Sequence, residues 1–277
     1  MTVAALRAPL DIQALRAARA AAAIGHAIEH FETLGSTSDR ARELAEAGAP
    51  EGVVVIAEKQ TQGRGRLGRR WESPPNRNLY VSILLRPAID AEEAPLLALV
   101  AGLATAEAVA EWAPQAQIKW PNDVLIDGRK TAGILTELYT EAEQLAVIAG
   151  IGVNLNLGLD ELPPELRDKA TSVYAATGRA VDRAVFAATL LSKLEERYRQ
   201  FRTSGFAAMR QHWNARSCLN GHRVTISGAG VTQRGKVIGM GDDGTLQLLS
   251  EEGTEMRVVA GDVTVLDGYG SSVAKQE

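Results

Sequence analysis

The sequence predicts an α+β protein: a mixed β-sheet with helices as the main domain, followed by a small C-terminal β-barrel. Three observations carry this expectation. Short apolar runs such as Val53-Val54-Val55-Ile56 and residues 79–85 alternate with long helical stretches at 92–111 and 182–201. From Gly221 to Leu266 the pattern changes to brief β-rich runs separated by turns. The chain has 277 residues, enough for one large domain plus a small one. The expected organisation is a helical extension over 1–30, the main domain over 31–216, the β-module over 217–270 and a mobile tail over 271–277.

Taken in order, residues 11–29 are rich in alanine and read as one helix. A second helix is expected over 40–47, with Ser36 and Asp39 at capping-box spacing and Gly48 and Pro50 as its stop. Residues 53–56 read as a buried strand. Residues 60–77, rich in Gly, Arg and Pro, cannot be regular throughout. A second strand follows at 79–85, then the helix at 92–111. Strands are expected near 118–120, 124–126, 133–138 and 145–154, with Asp127-Gly128 as a hairpin turn. Residues 159–176 read as irregular or short-helical. The helix at 182–201 carries apolar residues near helical spacing at Val185, Ala188, Leu191, Leu194 and Tyr198. The boundary to the β-module is expected near 216–221.

Composition narrows the function classes. The chain is 45% hydrophobic and 23% charged, as globular proteins are. A net charge of -4 gives no basic field for holding nucleic acid. The single cysteine, Cys218, cannot form an internal disulfide. The four histidines show no compact metal-ligand spacing, and His26 and His30, four apart, read as a solvated helix face. No basic segment leads into an apolar one at the N-terminus, so no signal peptide is expected. Arg7, Arg16 and Arg19 among alanines faintly resemble a transit peptide, but Asp11 favours a plain helix. Residues 95–106 are too short an apolar run to span a membrane. The expectation is a cytoplasmic protein without membrane or nucleic-acid partners.

The segment Gln60-Thr61-Gln62-Gly63-Arg64-Gly65-Arg66-Leu67-Gly68-Arg69-Arg70-Trp71 is the most informative. It places four arginines and three glycines within residues 63–70. Glycines let backbone N–H groups approach a ligand, and arginines present forks of donors to phosphate or carboxylate oxygens. Such a loop suits a polyanion, with ATP the obvious candidate. A solvated basic loop or an RNA-binding Gly/Arg tract is the plainer alternative. The loop lacks the ending of a P-loop and the glycine spacing of a dinucleotide fold.

With its neighbours the segment resembles the biotin protein ligases. Gly63 to Arg69 followed by Trp71 matches their Gly-Arg-Gly-Arg-x-Gly-Arg loop and tryptophan. Ser36-Thr37-Ser38 is similar to their Ser-Thr-Asn segment, with Ser38 in place of Asn. Lys119-Trp120-Pro121-Asn122-Asp123, Arg129-Lys130-Thr131-Ala132-Gly133-Ile134-Leu135 and Gly150-Ile151-Gly152-Val153-Asn154 follow in the family's order. The resemblance runs from about Phe31 to Leu266.

The resemblance implies a biotin- and ATP-binding catalytic domain with an SH3-like C-terminal β-module. It implies an ATP-dependent ligase that makes biotinyl-5′-AMP and passes biotin to a lysine of a biotin carboxyl carrier domain of a carboxylase. Lys130 and Arg66 would be catalytic. Ser36, Thr37, Ser38, Gln60, Gly63, Arg64, Gly65, Arg66, Lys130, Gly150 and Gly152 would face biotin. Arg66, Arg69, Trp71, Lys119, Asn122, Asp123, Lys130 and Asn154 would face ATP. Mg²⁺ would come with ATP, with Asn122, Asp123 and Asn154 as oxygen donors, and no protein-held metal is expected. Homodimer formation stays open. A lipoate ligase is the nearest alternative. A biotin-sensing repressor is disfavoured, since about 30 residues precede Phe31, too few for a winged domain.

The residue chemistry agrees with these roles. Small hydroxyls and an amide can pair the ureido group of biotin, whose buried donors and acceptors all need partners. A lysine at a strand start can offset charge where a carboxylate meets a phosphate. Gly150 and Gly152 would admit a ligand close to the backbone. The Gly/Arg loop is expected to be mobile when free, its arginines gaining partners only when phosphate arrives. The β-module is expected to support ligation without itself binding biotin.

Overall fold

The structure, a computed structural model, describes residues 7–141, 144–228 and 231–268. The tail expected over 271–277 and the first six positions of the N-terminal extension lie outside them.

A seven-stranded sheet forms the centre: β1 (Ile28–Phe31), β2 (Val54–Ala57), β3 (Leu79–Leu85), β4 (Gln117–Lys119), β5 (Asp123–Ile126), β6 (Arg129–Glu141) and β7 (Gln144–Val153). Its spatial order is β1-β2-β3-β7-β6-β5-β4. Strands β1 and β2 are parallel and the other neighbours antiparallel. All seven residues of β3 are buried, because helices cover both faces. Val81, Ile83, Leu85, Ala149 and Ile151 join the large core beneath α3 (Leu96–Ala110) and α5 (Arg183–Ser204). Val55, Leu84, Ala146 and Ile148 pack on the opposite face with Ala41 and Ala45 of α2 (Thr37–Glu46). The period of two along each strand divides the apolar set between these layers.

Strand β3 falls on the predicted residues. The β5–β6 hairpin does too: Asp127 and Gly128 both have positive φ, 50° and 75°, which the right-handed twist of a two-residue hairpin demands. Other expectations need correction. The Ala-rich helix α1 spans only Ile12–Arg19, capped by the Asp11 carboxylate on the Ala14 N–H at 2.9 Å. It stops because the buried Arg19 turns its guanidinium onto the Ile24 carbonyl, Ser192 Oγ (2.6 Å) and Glu195 of α5. Gly25 then turns the chain at φ 88° into β1, so Ile28 and Glu29, expected at the end of the helix, are sheet. Helix α2 starts at Thr37, and the Ser36 hydroxyl makes no cap bond. The expected capping box does not form, because Asp39 is engaged by Arg42 and Arg64. On α5, Val185 faces solvent at 53% exposure; Phe186 and Leu190 fill the core instead. Residues 159–176 hold two single 3₁₀ turns and the short α4 (Val173–Thr177).

After α6 (Arg210–Arg216) come β8 (Arg223–Gly228), β9 (Val231–Met240), β10 (Leu246–Leu249), β11 (Glu255–Val258) and β12 (Asp262–Val265). They form the expected SH3-like module, an antiparallel sheet ordered β11-β10-β9-β8-β12. Val224, Ile226, Val237, Met240, Leu246 and Leu248 belong to the same apolar cluster as the core of the main domain. Polar ties cross the junction as well: Trp120 Nε1 donates to the Gly244 carbonyl at 3.2 Å, and the Asn214 side chain bonds both backbone groups of Met240.

Candidate active site

Two bare strand positions make the floor of a pocket. Gly133 on β6 and Gly152 on β7 are partners in register. With no side chains between them, the Trp71 indole lies directly on the backbone. A Cβ added to Gly152 would stand 2.6 Å from Trp71 Cε2, and one on Gly133 would stand 3.0 Å from Trp71 Cζ3. Gly152 in this state therefore seats a tryptophan, where sequence reasoning expected close approach by ligand. Gly150 instead makes room for Ser38, whose Oγ would be 2.8 Å from an added Cβ. Asparagine at position 38 would have to fit the same confined space.

Above this floor is a pocket of about 50 Å³, lined by Ser36 just before α2, Thr37 and Ser38 in its first turn, Gln60, Arg64–Arg66, Trp71, Asn122, Lys130, residues 133–135 and residues 150–152. Its polar end is already organised. Thr37 donates to Gln60 Oε1 through both its N–H (2.9 Å) and its hydroxyl (3.0 Å). Ser82, beneath it on β3, donates to Thr37 Oγ1 at 2.8 Å and meets Ser38 Oγ at 3.1 Å. A chain of hydroxyls thus fixes the Gln60 amide. Ser82 carried no motif, and only its inward strand position could have flagged it.

Lys130 stands at the start of β6, held there by its N–H on the Lys169 carbonyl (2.8 Å) and its own carbonyl accepting from the Thr171 N–H (2.9 Å). Its ammonium pairs with Asp123 Oδ1 at 2.6 Å and sits 5.3 Å from the Trp71 ring centroid. The Trp71 Nε1 hydrogen is buried with no hydrogen-bond partner among the described residues. An acceptor on a ligand would satisfy it, and leaving it unpaired is costly.

The Gly/Arg loop closes on itself. Arg64 and Arg70 form an isolated bridge, Gly65 N–H donates to the Arg69 carbonyl at 2.7 Å, and Leu67 and Gly68 turn the tip with φ of 57° and 72°. The expectation that its arginines lack partners is not what the structure shows. Arg64 forks onto both oxygens of Asp39 (2.7 and 2.9 Å) and reaches Glu137 at 3.2 Å. That hydrogen-bonded pairing holds the Asp39 carboxyl below its ordinary range. Arg66 donates to Asn122 Oδ1 at 3.0 Å. Arg69 meets Asp262 of the β-module at 2.5 Å. These acidic partners lie 25, 73 and 193 positions away, beyond the reach of any local pattern.

Five expected contact residues lie outside the pocket lining, and of these Asp123 reaches it only through its ion pair with Lys130. Gly63 packs under the Trp71 carbonyl and Ser73. Arg69 is exposed, and Lys119 belongs to β4. Asn154 is buried in a structural network: its amide donates to the Thr171 carbonyl at 3.1 Å and its Oδ1 accepts from Asn78 at 3.3 Å. The lone cysteine is no nucleophile, because burial pushes the Cys218 thiol up to about 12.

A sheet of this order, a Gly/Arg loop over its bare strands and a fused β-module define a class, and residues 31–154 match the model of the Biotin/lipoate A/B protein ligase family. Among solved structures, the biotin protein ligase from Aquifex aeolicus in complex with biotin and ATP superposes with a TM-score of 0.75. It has 32% identity, over 87% of this chain and 98% of that one. A biotin–[acetyl-CoA-carboxylase] ligase of Mycobacterium tuberculosis is 35% identical, covering 94% of this chain and 97% of its own. A bifunctional ligase/repressor of Bacillus subtilis is 40% identical over 83% of this chain and 71% of its own. The chain belongs to the biotin protein ligase family and is an enzyme of the ligase class.

Proposed function

We propose that residues 31–216 catalyse the ATP-dependent activation of biotin to biotinyl-5′-AMP. The enzyme then transfers biotin to one lysine of a biotin carboxyl carrier domain. The observation that carries this reading is the meeting, in one pocket, of a hydroxyl–amide cup (Ser36, Thr37, Ser38, Gln60), a loop of arginines and Lys130. The cup offers paired donors and acceptors to a ureido group, and Arg64 and Arg66 offer cations to carboxylate or phosphate.

In the first step the biotin carboxylate oxygen attacks the α-phosphorus of ATP, an O–P bond forms, and pyrophosphate leaves. Two anions must approach each other. Lys130 is the compact cation able to stand between them, and Asp123 aims it. Trp71, whose N–H has no partner among the described residues, would offer a nucleotide a donor and a flat face. In the second step an amine attacks the acyl carbon, an amide C–N bond forms, AMP leaves and the amine sheds a proton. Water must be kept from the mixed anhydride meanwhile, a task suited to the closed Gly/Arg hairpin.

Mg²⁺ enters this scheme as part of MgATP. Asn122 Oδ1 is taken by Arg66, Asp123 by Lys130 and Asn154 Oδ1 by Asn78. Engaged in this way, these oxygen donors do not fit a protein-held ion.

The test is formation of AMP from labelled ATP, with biotin and a carrier domain present. AMP that depends on both, with biotin attached to the carrier, is the expected result. Lipoate supporting the reaction better than biotin would move the assignment to the lipoate branch.

A further inference from the structure

A groove of about 550 Å³ runs between the start of α3, the Trp120-Pro121 segment and the β-module. It shares Arg66, Asn122, Ile134 and Leu135 with the ligand pocket, so the two spaces meet at the Arg66 guanidinium. We propose that the acceptor protein docks in this groove and that its reactive lysine reaches the pocket past Arg66. The proposal rests on the ligase reading above.

The groove carries open apolar surface. Val259, 80% exposed, and the half-buried Leu96 line the groove, with Leu99 and Phe206 buried beneath them. Apolar surface left open beside a reaction pocket suits a protein partner.

Charge is graded along the groove. Asp242 and Asp243 line the groove but are paired with Arg210 (2.9 Å) and Arg257. Glu92 and Glu93 are different. Both are exposed. Among the described residues no hydrogen bond or ion pair engages Glu92, and Glu93 only accepts the Asp90 N–H at 3.4 Å. Uncompensated negative charge therefore stands along the groove, and a cation, Arg66, stands at its inner end. A lysine arriving as ammonium is drawn in by the carboxylates. Beside Arg66 its charged form is disfavoured, so it yields its proton to solvent and becomes the neutral amine that can attack. The amine nitrogen bonds to the acyl carbon of the adenylate as the C–O bond to AMP breaks.

The main domain and the β-module both wall the groove. Gly244, Thr245 and Val259 come from the β-module, whereas Leu96 and Trp120 come from the main domain. A groove walled by both gives the module a part in transfer without contact with biotin.

The test uses the full chain, in the double variant Glu92→Lys, Glu93→Lys and in Val259→Arg. None of these side chains touches the ligand pocket or the core. Transfer is measured against a biotin carboxyl carrier domain of varied concentration. In parallel, the adenylate is trapped with hydroxylamine, a small nucleophile that needs no docking. We expect the carrier KM to rise about tenfold in each variant, with the charge effect shrinking at high salt. The hydroxylamine rate should match the parent. Unchanged carrier KM in both variants overturns the proposal, as does an equal loss with hydroxylamine. A change in self-association seen by sedimentation would make the groove a surface for a second copy and also overturn it. If the parent itself yields no trapped adenylate, the ligase reading fails first.

Discussion

Replacing Gly152 by alanine isolates the seat of Trp71. The added methyl would lie 2.6, 2.7 and 2.9 Å from three indole atoms. The ring must therefore retreat by about 1 Å to regain ordinary van der Waals contact. The backbone raises no objection, since Gly152 is in β7 with no positive φ and alanine is favoured over glycine in a strand by about 0.5–1 kcal/mol. Stability should stay within about 1 kcal/mol of the parent. Catalysis should not: a misplacement of about 1 Å in a positioned group can cost on the order of a hundredfold. The assay pairs thermal melting with biotin-dependent pyrophosphate release at varied ATP, and tryptophan emission, to which Trp71 contributes beside Trp112, Trp120 and Trp213, is compared with the parent's. A variant with parental melting, parental emission and parental kcat/KM for ATP would refute the idea that the bare glycine pair exists to seat this indole.

Lys130→Ala should fold normally yet form adenylate about a hundred- to a thousand-fold more slowly, the loss of roughly 3–4 kcal/mol of transition-state stabilisation. Supplied biotinyl-adenylate should partly restore transfer; near-parental adenylation would hand the role to Lys119. Arg66→Gly removes the tie to Asn122, and more adenylate should escape into solution, measured by filtration of the enzyme; equal retention would make the loop merely structural. Glu58 is buried, which alone would raise its carboxyl, but hydrogen bonds from Arg183 and the Leu10 N–H hold it below the ordinary 4.5. Its contribution is therefore present at neutral pH and lost as pH falls below that value. Glu58→Gln should melt lower at pH 7, by about 3 kcal/mol for stranding Arg183, and show a shallower acid limb; an acid limb identical to the parent's would refute the linkage.

Much of the site was legible because its motifs are contiguous. Ser36 to Ser38, Gln60, Arg64 to Arg66 and Lys130 all reach one pocket, since strand and loop neighbours in sequence stay neighbours in space. Local chemistry also fixed the Asp127-Gly128 turn and the β3 run. What escaped was set by distance. Alanine content gave no sign that α1 ends at Arg19, because that end depends on Ser192 and Glu195. Asn154 looked like a ligand group, but Asn78 and Thr171 claim it. The insertion of β7 between β3 and β6, which brings Gly152 beside Gly133, is likewise a long-range pairing. The module boundary is clear in composition, yet the apolar core runs across it. Removing residues 217–277 would therefore uncover Leu96 and Leu99 at the start of α3, where Gly244 packs, and loss of ligation after such a cut would say little about the module's own part.

The carboxylates around the arginines have a consequence for what the site ignores. Asp39, Glu137 and Asp262 already neutralise Arg64 and Arg69. An entering anion does not fall into an open well of positive potential; it must substitute for a resident one. The gain is the difference between two charge-assisted bonds, which for a single phosphate or sulfate is close to nothing. A triphosphate and a carboxylate arriving together can displace several residents at once and also give the Trp71 N–H its acceptor. Resting charge balance thus works as a counting device, favouring ligands by how many partners they exchange over how strongly any one of them binds.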